Sequence, residues 1–475
     1  MTENFQEFSQ SPPIRRFSLE LANGYKDIEL HTNLPIQILV AENGAGKTTL
    51  LNALHAVLTG NHSALISIEF SSLHLEISEN TWTKKREEFA VPRREFDKIF
   101  KAPRWSRLDL PEPSRLEAEE LIAAVASGEE SDIRKTKYFS RETIIYHAPY
   151  QYVKEVLTGI IDKEIINSFK RKREKFLAFS SEVARALAGY TVLYLPTYRR
   201  IETSLPEYQY RPSAQRPRPN YKNDWSGDQL IHFGLQDVET KLTEMAEEIR
   251  RSTVRAFSSI NARTLDDLIF GHYKTNVENT SPIDPNSLQV VLGRLGRDTA
   301  DMKDRIERLI TSGEINNEEN IYLKSFLNQL MQTYASTQGR EARIENFIEV
   351  VNSYWGEDDS EKRFIFDKTS AEARVINSYT DKTLPLDALS SGEKQIVSTF
   401  ARLYLESDKK IIVLIDEPEL SLSMEWQQKF LPDIARSPSF CQLIAITHSP
   451  FIFQNELRLY AGPITVRRHK ITSAE

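Results

Sequence analysis

A glycine-rich turn near the start of the chain combines small residues with one lysine and two threonines. It reads Ala-Glu-Asn-Gly-Ala-Gly-Lys-Thr-Thr over residues 41–49 and directly follows the apolar run 36–40. A turn of this kind directs backbone N–H groups, and the positive end of the next helix, at one bound anion. We therefore expect nucleotide phosphates to be bound by Asn43, Gly44, Ala45, Gly46, Lys47, Thr48 and Thr49. Lys47 is expected at the β- and γ-phosphates, and the Thr48 hydroxyl as a ligand of Mg²⁺.

Two acidic residues follow a second apolar run, residues 411–415. At the end of a buried strand, Asp416 would hold Mg²⁺ through water and Glu417 would polarise the attacking water. The alternative is a helix N-terminus, where the dipole favours two acidic residues and Pro418 suits the first helical position. The presence of Lys47 upstream favours the hydrolytic interpretation.

Two further segments are ambiguous by themselves. Ser390, Ser391, Gly392 and Glu393 precede apolar residues at helical spacing, which on spacing alone favours a capping box at a helix start. His448 follows another apolar run, and a lone histidine in such a place is usually structural. Both segments gain a functional interpretation only from the resemblance given below.

The elements that must position these residues are indicated by hydrophobic periodicity. Alternation of apolar and polar residues predicts strands at 17–30 and from Ile66 to Ile77. Apolar residues at helical spacing predict a helix from Thr48 to Thr59, which Gly60 ends. Leu235 to Ala262 has the stripe of an amphipathic helix. We expect an α/β fold with a mixed sheet around the loop helix, interrupted by a large, mostly helical insertion. The expected divisions are an N-terminal core half at 1–80, a charged helical insertion at 81–190, a returning strand at 191–204, a helical insertion domain at 205–365 and a C-terminal core half at 366–475.

Composition limits the class of protein. The chain has 475 residues, a net charge of −7 and one cysteine, Cys441, which excludes a disulfide framework and a thiolate metal site. We find no signal peptide at the N-terminus and no apolar run long enough to span a membrane, so the expected location is the cytoplasm. Basic clusters at 84–94, 170–173 and 211–218 are interpreted either as contacts for nucleic acid or, preferably, as solvated or partner-binding faces.

Four segments resemble the compact ABC-type ATPases related to the RecF, SMC and OLD proteins. These segments are Asp-Glu-Pro-Glu-Leu-Ser-Leu at 416–422, Glu-Trp-Gln at 425–427, Thr-His-Ser-Pro at 447–450 and Tyr-Leu-Pro-Thr-Tyr-Arg-Arg-Ile-Glu at 194–202. Within that group, the chain is most similar to the ATPase subunits of the bacterial antiphage systems Septu and PARIS.

The resemblance implies an ATPase that uses ATP and Mg²⁺ and forms head-to-tail dimers. A larger assembly of these dimers stays open. Residues 390–393 would then form the signature that binds the γ-phosphate of ATP held by the other subunit. His448 would be the switch histidine, and Ser421 and Ser423 would lie in the loop that contacts the dimer partner. The resemblance also implies an effector nuclease, of the TOPRIM or HNH type, that acts in trans.

We expect no nuclease site in this chain, since the sequence after His448 is too short for a TOPRIM domain and the nine histidines are scattered. The favoured function is an ATP-hydrolysing sensor or scaffold of an antiphage complex, triggered by a phage protein or a nucleic acid. The alternative is a DNA-repair or SMC-like ATPase that acts on DNA directly. The subunit of a transporter is disfavoured by the large central insertion.

Overall fold

A computed structural model describes most of the chain. The described residues are 11–40, 44–91, 93–101, 103–106, 111–127, 136, 138, 150–161, 163–196, 235–270, 284–294, 300–356, 361–406 and 409–469. The chain divides into two compact units. The first unit comprises 1–231, 409–436 and 440–475, and the second comprises 232–408 and 437–439.

The strands of the described residues belong to three sheets. In chain order they are β1 Ile14–Ala22, β2 Lys26–His31, β3 Ile36–Val40, β4 Ser72–Ile77, β5 Asn80–Lys85, β6 Tyr190–Leu195, β7 Lys362–Asp367, β8 Glu372–Asn377, β9 Thr383–Leu384, β10 Lys410–Asp416, β11 Phe440–Thr447, β12 Ala461–Pro463 and β13 Thr465–Arg468.

The α-helices range from one turn to ten turns. In chain order they are α1 Lys47–Thr59, α2 His62–Ile66, α3 Arg93–Phe100, α4 Pro103–Ser106, α5 Arg115–Ser127, α6 Tyr150–Ile160, α7 Lys163–Ala186, α8 Leu235–Phe270, α9 Pro285–Arg294, α10 Ala300–Thr311, α11 Ile321–Trp355, α12 Ser391–Leu405 and α13 Met424–Ala435. None of them is long and apolar enough to cross a membrane.

A parallel sheet of the first unit carries the ends of the two predicted apolar runs. Its order is β12-β3-β11-β10-β6, and all of its neighbouring strands are parallel. Most residues of β10 and β11 are buried, which explains why these strands read as continuous apolar runs rather than alternating ones. The carboxyl ends of β3, β10 and β11 lie at one edge, so Val40, Asp416 and Thr447 lie close together there.

An antiparallel sheet in the order β13-β2-β1-β4-β5 forms the second layer of this unit. The strands predicted at 17–30 are confirmed as β1 and β2, with Phe17 opposite Leu30. The expected mixed sheet is therefore two sheets, and α1 is buried in the core that they share. The predicted helix end is confirmed, because Gly60 takes a left-handed conformation (φ 73°) and its N–H caps α1.

The strand predicted from Ile66 to Ile77 was wrong in its first half. Residues 62–66 form the short helix α2, because the side chain of Asn61 accepts a hydrogen bond from the N–H of Ala64 and caps it. The strand begins at Ser72 and pairs with β5, which continues the antiparallel sheet to Lys85. After β5 comes a short 3-10 helix, Arg86–Glu88, and the α-helices of the charged stretch begin at Arg93. These helices build a separate apolar cluster around Trp105, Leu121 and Leu157.

The second unit is mostly helical, and its two longest helices, α8 and α11, have 36 and 35 residues. The returning strands predicted near 364–366 and 373–376 are confirmed as β7 and β8, but they pair with each other and with β9 in a sheet of their own. Inside this unit Arg294 and Glu341 form a buried ion pair of 2.9 Å, with side chains 0% and 2% exposed. The predicted α/β class with a mostly helical insertion is confirmed.

Candidate nucleotide-binding site

The described part of the glycine-rich loop has the backbone that a phosphate cradle requires. Gly44 and Gly46 adopt positive φ values of 81° and 94°, which only glycine takes without strain. A Cβ on Gly46 would overlap Cδ1 of Ile28, so a side chain there would force Ile28 to shift and would also strain the positive φ. Helix α1 begins at Lys47, which places Thr48 and Thr49 in its first turn beside the positive end of the dipole. Ala45 is buried, and Asn43 lies outside the described residues.

Lys47 and His448 come from opposite ends of the sequence and touch each other. The Nζ atom of Lys47 lies 3.0 Å from Nδ1 of His448 and also contacts Nε2 of the same ring. Burial lowers the pKa of Lys47, and the carboxylates of Glu417, Asp416 and Glu419 oppose that shift. Lys47 is 5% exposed, so the ammonium group is held at the base of the site by acidic neighbours rather than by solvent.

The hydroxyl of Thr48 donates a 2.8 Å hydrogen bond to Oδ2 of Asp416. Asp416 is the last residue of β10 and is 2% exposed. A hydroxyl and a carboxylate held side by side are oxygen ligands of the type that Mg²⁺ binds, usually together with water and phosphate oxygens. The residues present therefore fit the metal that the sequence motif predicts.

Glu417 occupies a conformation that is uncommon for a residue with a side chain. Its φ is 53°, and its N–H donates a 2.8 Å hydrogen bond to the carbonyl of Ile446 in β11. This turn ends β10 sharply and leaves the carboxylate 28% exposed, with Oε1 at 3.8 Å from Nε2 of His448. The helix start considered for this position is not present, because the next helix, α13, begins at Met424 with Ser423 as its cap.

Glu419 was not singled out by the sequence, and it organises the segment that carries His448. Its carboxylate accepts hydrogen bonds from the hydroxyl of Thr447 (2.8 Å), the N–H of His448 (2.8 Å) and the N–H of Ser449 (3.1 Å). Three donors on one carboxylate fix the backbone after β11 against the turn after β10. The only signal in the sequence was a third acidic residue close to Asp416 and Glu417.

Gln427 closes the same network from α13. Its amide N–H₂ donates to the carbonyls of Glu419 (3.3 Å) and Leu422 (3.0 Å), and its Oε1 accepts from the hydroxyl of Ser449 (2.8 Å). The loop at 419–422 and the segment of His448 are thus joined through Glu419 and Gln427. Within that loop Ser421 has a φ of 66°.

Lys26 is a second lysine at the glycine-rich loop that sequence reasoning missed. It lies in β2, is 3% exposed and donates a 2.9 Å hydrogen bond from Nζ to the carbonyl of Gly44. Lys26 shares the inward face of β2 with Ile28 and Leu30. A lysine at an inward position of an alternating strand was the signal that could have identified it.

The segment 390–393 forms a complete capping box at the start of α12 in the second unit. The hydroxyl of Ser390 accepts from the N–H of Glu393 (3.4 Å), and the Glu393 carboxylate accepts from the N–H of Ser390 (2.6 Å). Ser390 and Ser391 are exposed and Gly392 is buried. The structure thus brings together Lys47, Thr48, Asp416, Glu417 and His448 in the first unit and assembles residues 390–393 in the second.

Comparisons with known proteins identify the general class. Residues 18–453 match the family described as AAA ATPase domain. Among solved structures, a crystal structure titled as the SmcHead bound to the C-winged helix domain of ScpA has 18% identity and a TM-score of 0.21. The match covers 30% of this chain and 46% of that chain, so this chain spans less than half of that relative.

Two other matched structures are covered almost completely. One is the Smc head domain with an extended coiled coil bound to the C-terminal domain of ScpA, derived from Pyrococcus furiosus (13% identity, 96% of both chains, TM-score 0.33). The other is the Smc head domain with a coiled coil and joint, derived from Pyrococcus yayanosii (13% identity, 97% of this chain and 98% of that chain, TM-score 0.30). No curated protein matches the sequence. Because the family match over residues 18–453 extends through most of the sequence, the chain belongs to the AAA ATPase domain family.

Proposed function

We propose that this chain binds Mg²⁺ and ATP at the edge of its parallel sheet and hydrolyses the terminal phosphate. One observation carries the proposal: Lys47 and Thr48, at the start of α1, lie in contact with His448 and Asp416. These residues supply a cation for phosphate, two oxygen ligands for a metal and the side chain of His448 where the γ-phosphate of ATP would lie. Glu417 lies at the same edge, 3.8 Å from His448.

Each residue then has a distinct role. Lys47 would neutralise charge on the β- and γ-phosphates, and Thr48 and Asp416 would hold Mg²⁺. Glu417 orients and polarises the attacking water, since its carboxylate is partly exposed at the edge of the site. His448 donates to the γ-phosphate once ATP separates it from Lys47. Mg²⁺, when bound, neutralises the charge that develops on the phosphate oxygens.

Hydrolysis is proposed to require two copies of the chain that pair head to tail. The exposed start of α12, with Ser390 and Ser391 at its tip, would meet the γ-phosphate of ATP bound by the second copy. Backbone N–H groups at a helix start suit an anion in this way. The loop at 419–422 would contact the second copy and report pairing to His448 through Glu419 and Gln427.

The biological role we propose is that of a sensor in an antiphage complex, in which ATP-dependent pairing controls a separate nuclease of the TOPRIM or HNH type. The support is the resemblance of segments 416–422, 425–427, 447–450 and 194–202 to ATPases related to the RecF, SMC and OLD proteins, a group that includes the ATPase subunits of such systems. The mostly helical second unit would then provide the surface for the nuclease and for the trigger, a phage protein or a nucleic acid.

Tagged purification with the neighbouring genes present tests this role. Mass spectrometry would identify what co-elutes, and native mass would give the stoichiometry. A small nuclease in fixed ratio is the expected result. A chain that retains DNA and no protein would contradict it and favour the alternative, an ATPase that acts on DNA directly. The Lys47→Ala variant is the control: because it should not bind ATP, ATP should not change the activity of the nuclease that co-elutes with it.

A further inference from the structure

The start of α12 carries a negative charge where an approaching phosphate needs a positive field. Glu393 is the third residue of the helix, and its carboxylate accepts a 2.6 Å hydrogen bond from the N–H of Ser390. A carboxylate in this position stabilises the helix itself, because it complements the helix dipole. The same charge repels an anion that comes to the neighbouring N–H groups of Ser391 and Gly392.

Lys362, the first residue of β7, pairs with that carboxylate. Its Nζ lies 2.9 Å from Oε2 and 3.2 Å from Oε1 of Glu393, so one ammonium group bridges both oxygens. The side chains of Lys362 and Glu393 are 23% and 14% exposed, which places the pair in the partly buried range where charges are only weakly screened.

The carboxylate is held in its ionised form by these contacts. Burial raises the pKa of Glu393, but the hydrogen bonds from Lys362 and from Ser390 outweigh burial and bring the pKa below its ordinary value. Glu393 is therefore a permanent anion near neutral pH, and the charge at the tip of α12 depends on whether Lys362 accompanies it.

We propose that Lys362 is a positioning residue for the ATP-driven pairing of two copies: it neutralises Glu393 and holds it in the capping box, so that Ser391 and Gly392 can receive the γ-phosphate of ATP bound to the second copy. This inference rests on the proposed function. Lys362 is expected to affect pairing but not the first binding of ATP, because the loop at 44–49 that binds ATP belongs to the first compact unit.

The test uses the full chain in a Glu417→Gln background, so that turnover does not consume the ATP. Sedimentation velocity at several protein concentrations gives the dimer dissociation constant with ATP and Mg²⁺. We expect Lys362→Met to raise that constant about tenfold, and Lys362→Arg to keep it near the parent value, since the charge is retained. Lys382→Met, which removes an exposed lysine from the edge of the same small sheet, is the matched control and should pair like the parent.

The double variant Lys362→Met with Glu393→Gln separates charge balance from folding. It removes both charges but keeps a side chain that completes a capping box, so pairing should recover to within about threefold of the parent. Normal pairing by Lys362→Met would overturn the inference. So would a double variant that pairs as weakly as Lys362→Met alone, because Lys362 would then act by some route other than neutralising Glu393.

A Ser391→Arg variant distinguishes failure of this inference from failure of the proposed function. A bulky cation on the exposed tip of α12 should block pairing around ATP. If Ser391→Arg pairs normally, the trans contact itself is wrong. If Ser391→Arg fails to pair while Lys362→Met pairs normally, only the role of Lys362 is wrong.

Discussion

Thr48 and Asp416 are joined by a 2.8 Å hydrogen bond, although 368 positions separate them in the sequence. The bond links the first turn of α1 to the carboxyl end of β10, the two elements that the motifs predicted would meet. Both groups offer oxygen atoms to one small volume. Thr48 and Asp416 would hold Mg²⁺ at this place, beside the loop that would hold the phosphates.

Replacement of Lys47 by alanine should abolish nucleotide binding. The ammonium group contacts His448 at the base of the site and interacts electrostatically with the carboxylates of Asp416 and Glu417. Titration with a fluorescent ATP analogue should show affinity reduced at least about a hundredfold, since a charge-assisted contact to phosphate is lost. Near-parent affinity, in a variant whose melting temperature is unchanged, would contradict the assignment of the loop.

Replacement of Glu417 by glutamine should separate binding from turnover. The amide keeps the size of the side chain but cannot accept the proton of the attacking water. We expect ATP binding to persist, the ATP-bound dimer to accumulate and phosphate release to fall at least about a hundredfold. Phosphate release can be followed with a coupled assay, and Glu425→Gln, on the exposed first turn of α13, is the matched control. Normal turnover by Glu417→Gln would show that Glu417 is not the residue that polarises the attacking water.

Glu419 should act on His448 through the backbone rather than on ATP. Alanine at this position removes both acceptor oxygens, so the three hydrogen bonds from residues 447–449 are lost. We expect kcat to fall about tenfold and KM for ATP to change less than about threefold, because ATP is bound by other residues. A rise in KM of about tenfold, with kcat unchanged, would indicate that Glu419 acts in ATP binding instead.

His55 makes the stability of the first unit depend on pH. Burial lowers its pKa from 6.5 to about 4, and its ring packs 4.6 Å from that of Tyr194. The unfolded chain takes up the proton first, so the stability that neutral His55 contributes is complete above pH 6.5 and is lost as the pH falls towards 4. The loss is at most about 3–4 kcal/mol, since the pKa falls from 6.5 to about 4 and one pKa unit corresponds to about 1.4 kcal/mol.

Urea unfolding of the parent and of His55→Gln, each at pH 7 and pH 5, measures this effect. The parent should lose more stability than the variant between the two pH values, because glutamine does not titrate. Equal losses would show that His55 is protonated in the folded protein as readily as in the unfolded one.

The sequence predicted the parts of the site that depend on local pattern. Gly44, Gly46 and Lys47 were identifiable because a strand, a tight turn and a helix follow one another, and Asp416 because an unbroken apolar run precedes it. The predictions failed where local pattern is ambiguous. Residues 66–71 contain apolar residues at spacings that suit a strand. The cap at Asn61 instead makes 62–66 a helix, and the strand begins only at Ser72.

Contacts that belong to no recognised motif were beyond prediction. Glu419 acts on Thr447, His448 and Ser449, and Lys362 acts on Glu393, through side chains brought together only by tertiary structure. A single sequence contains the residues but not the distances that join them. Lys26 lies between these two cases. Its inward position in β2 could be predicted from the alternation of the strand, but its contact with Gly44 could not.

Mixing two inactive variants tests whether the site is built from two copies. Lys47→Ala removes the cis phosphate contact, and Ser391→Arg blocks the trans contact, so each variant alone should be inactive. In an equal mixture, a dimer that combines the two variants has one intact site out of two, so ATP turnover should return, to at most about half of the parent rate per chain. A mixture as inactive as its components, or Ser391→Arg protein that hydrolyses ATP at the parent rate alone, would contradict the head-to-tail site.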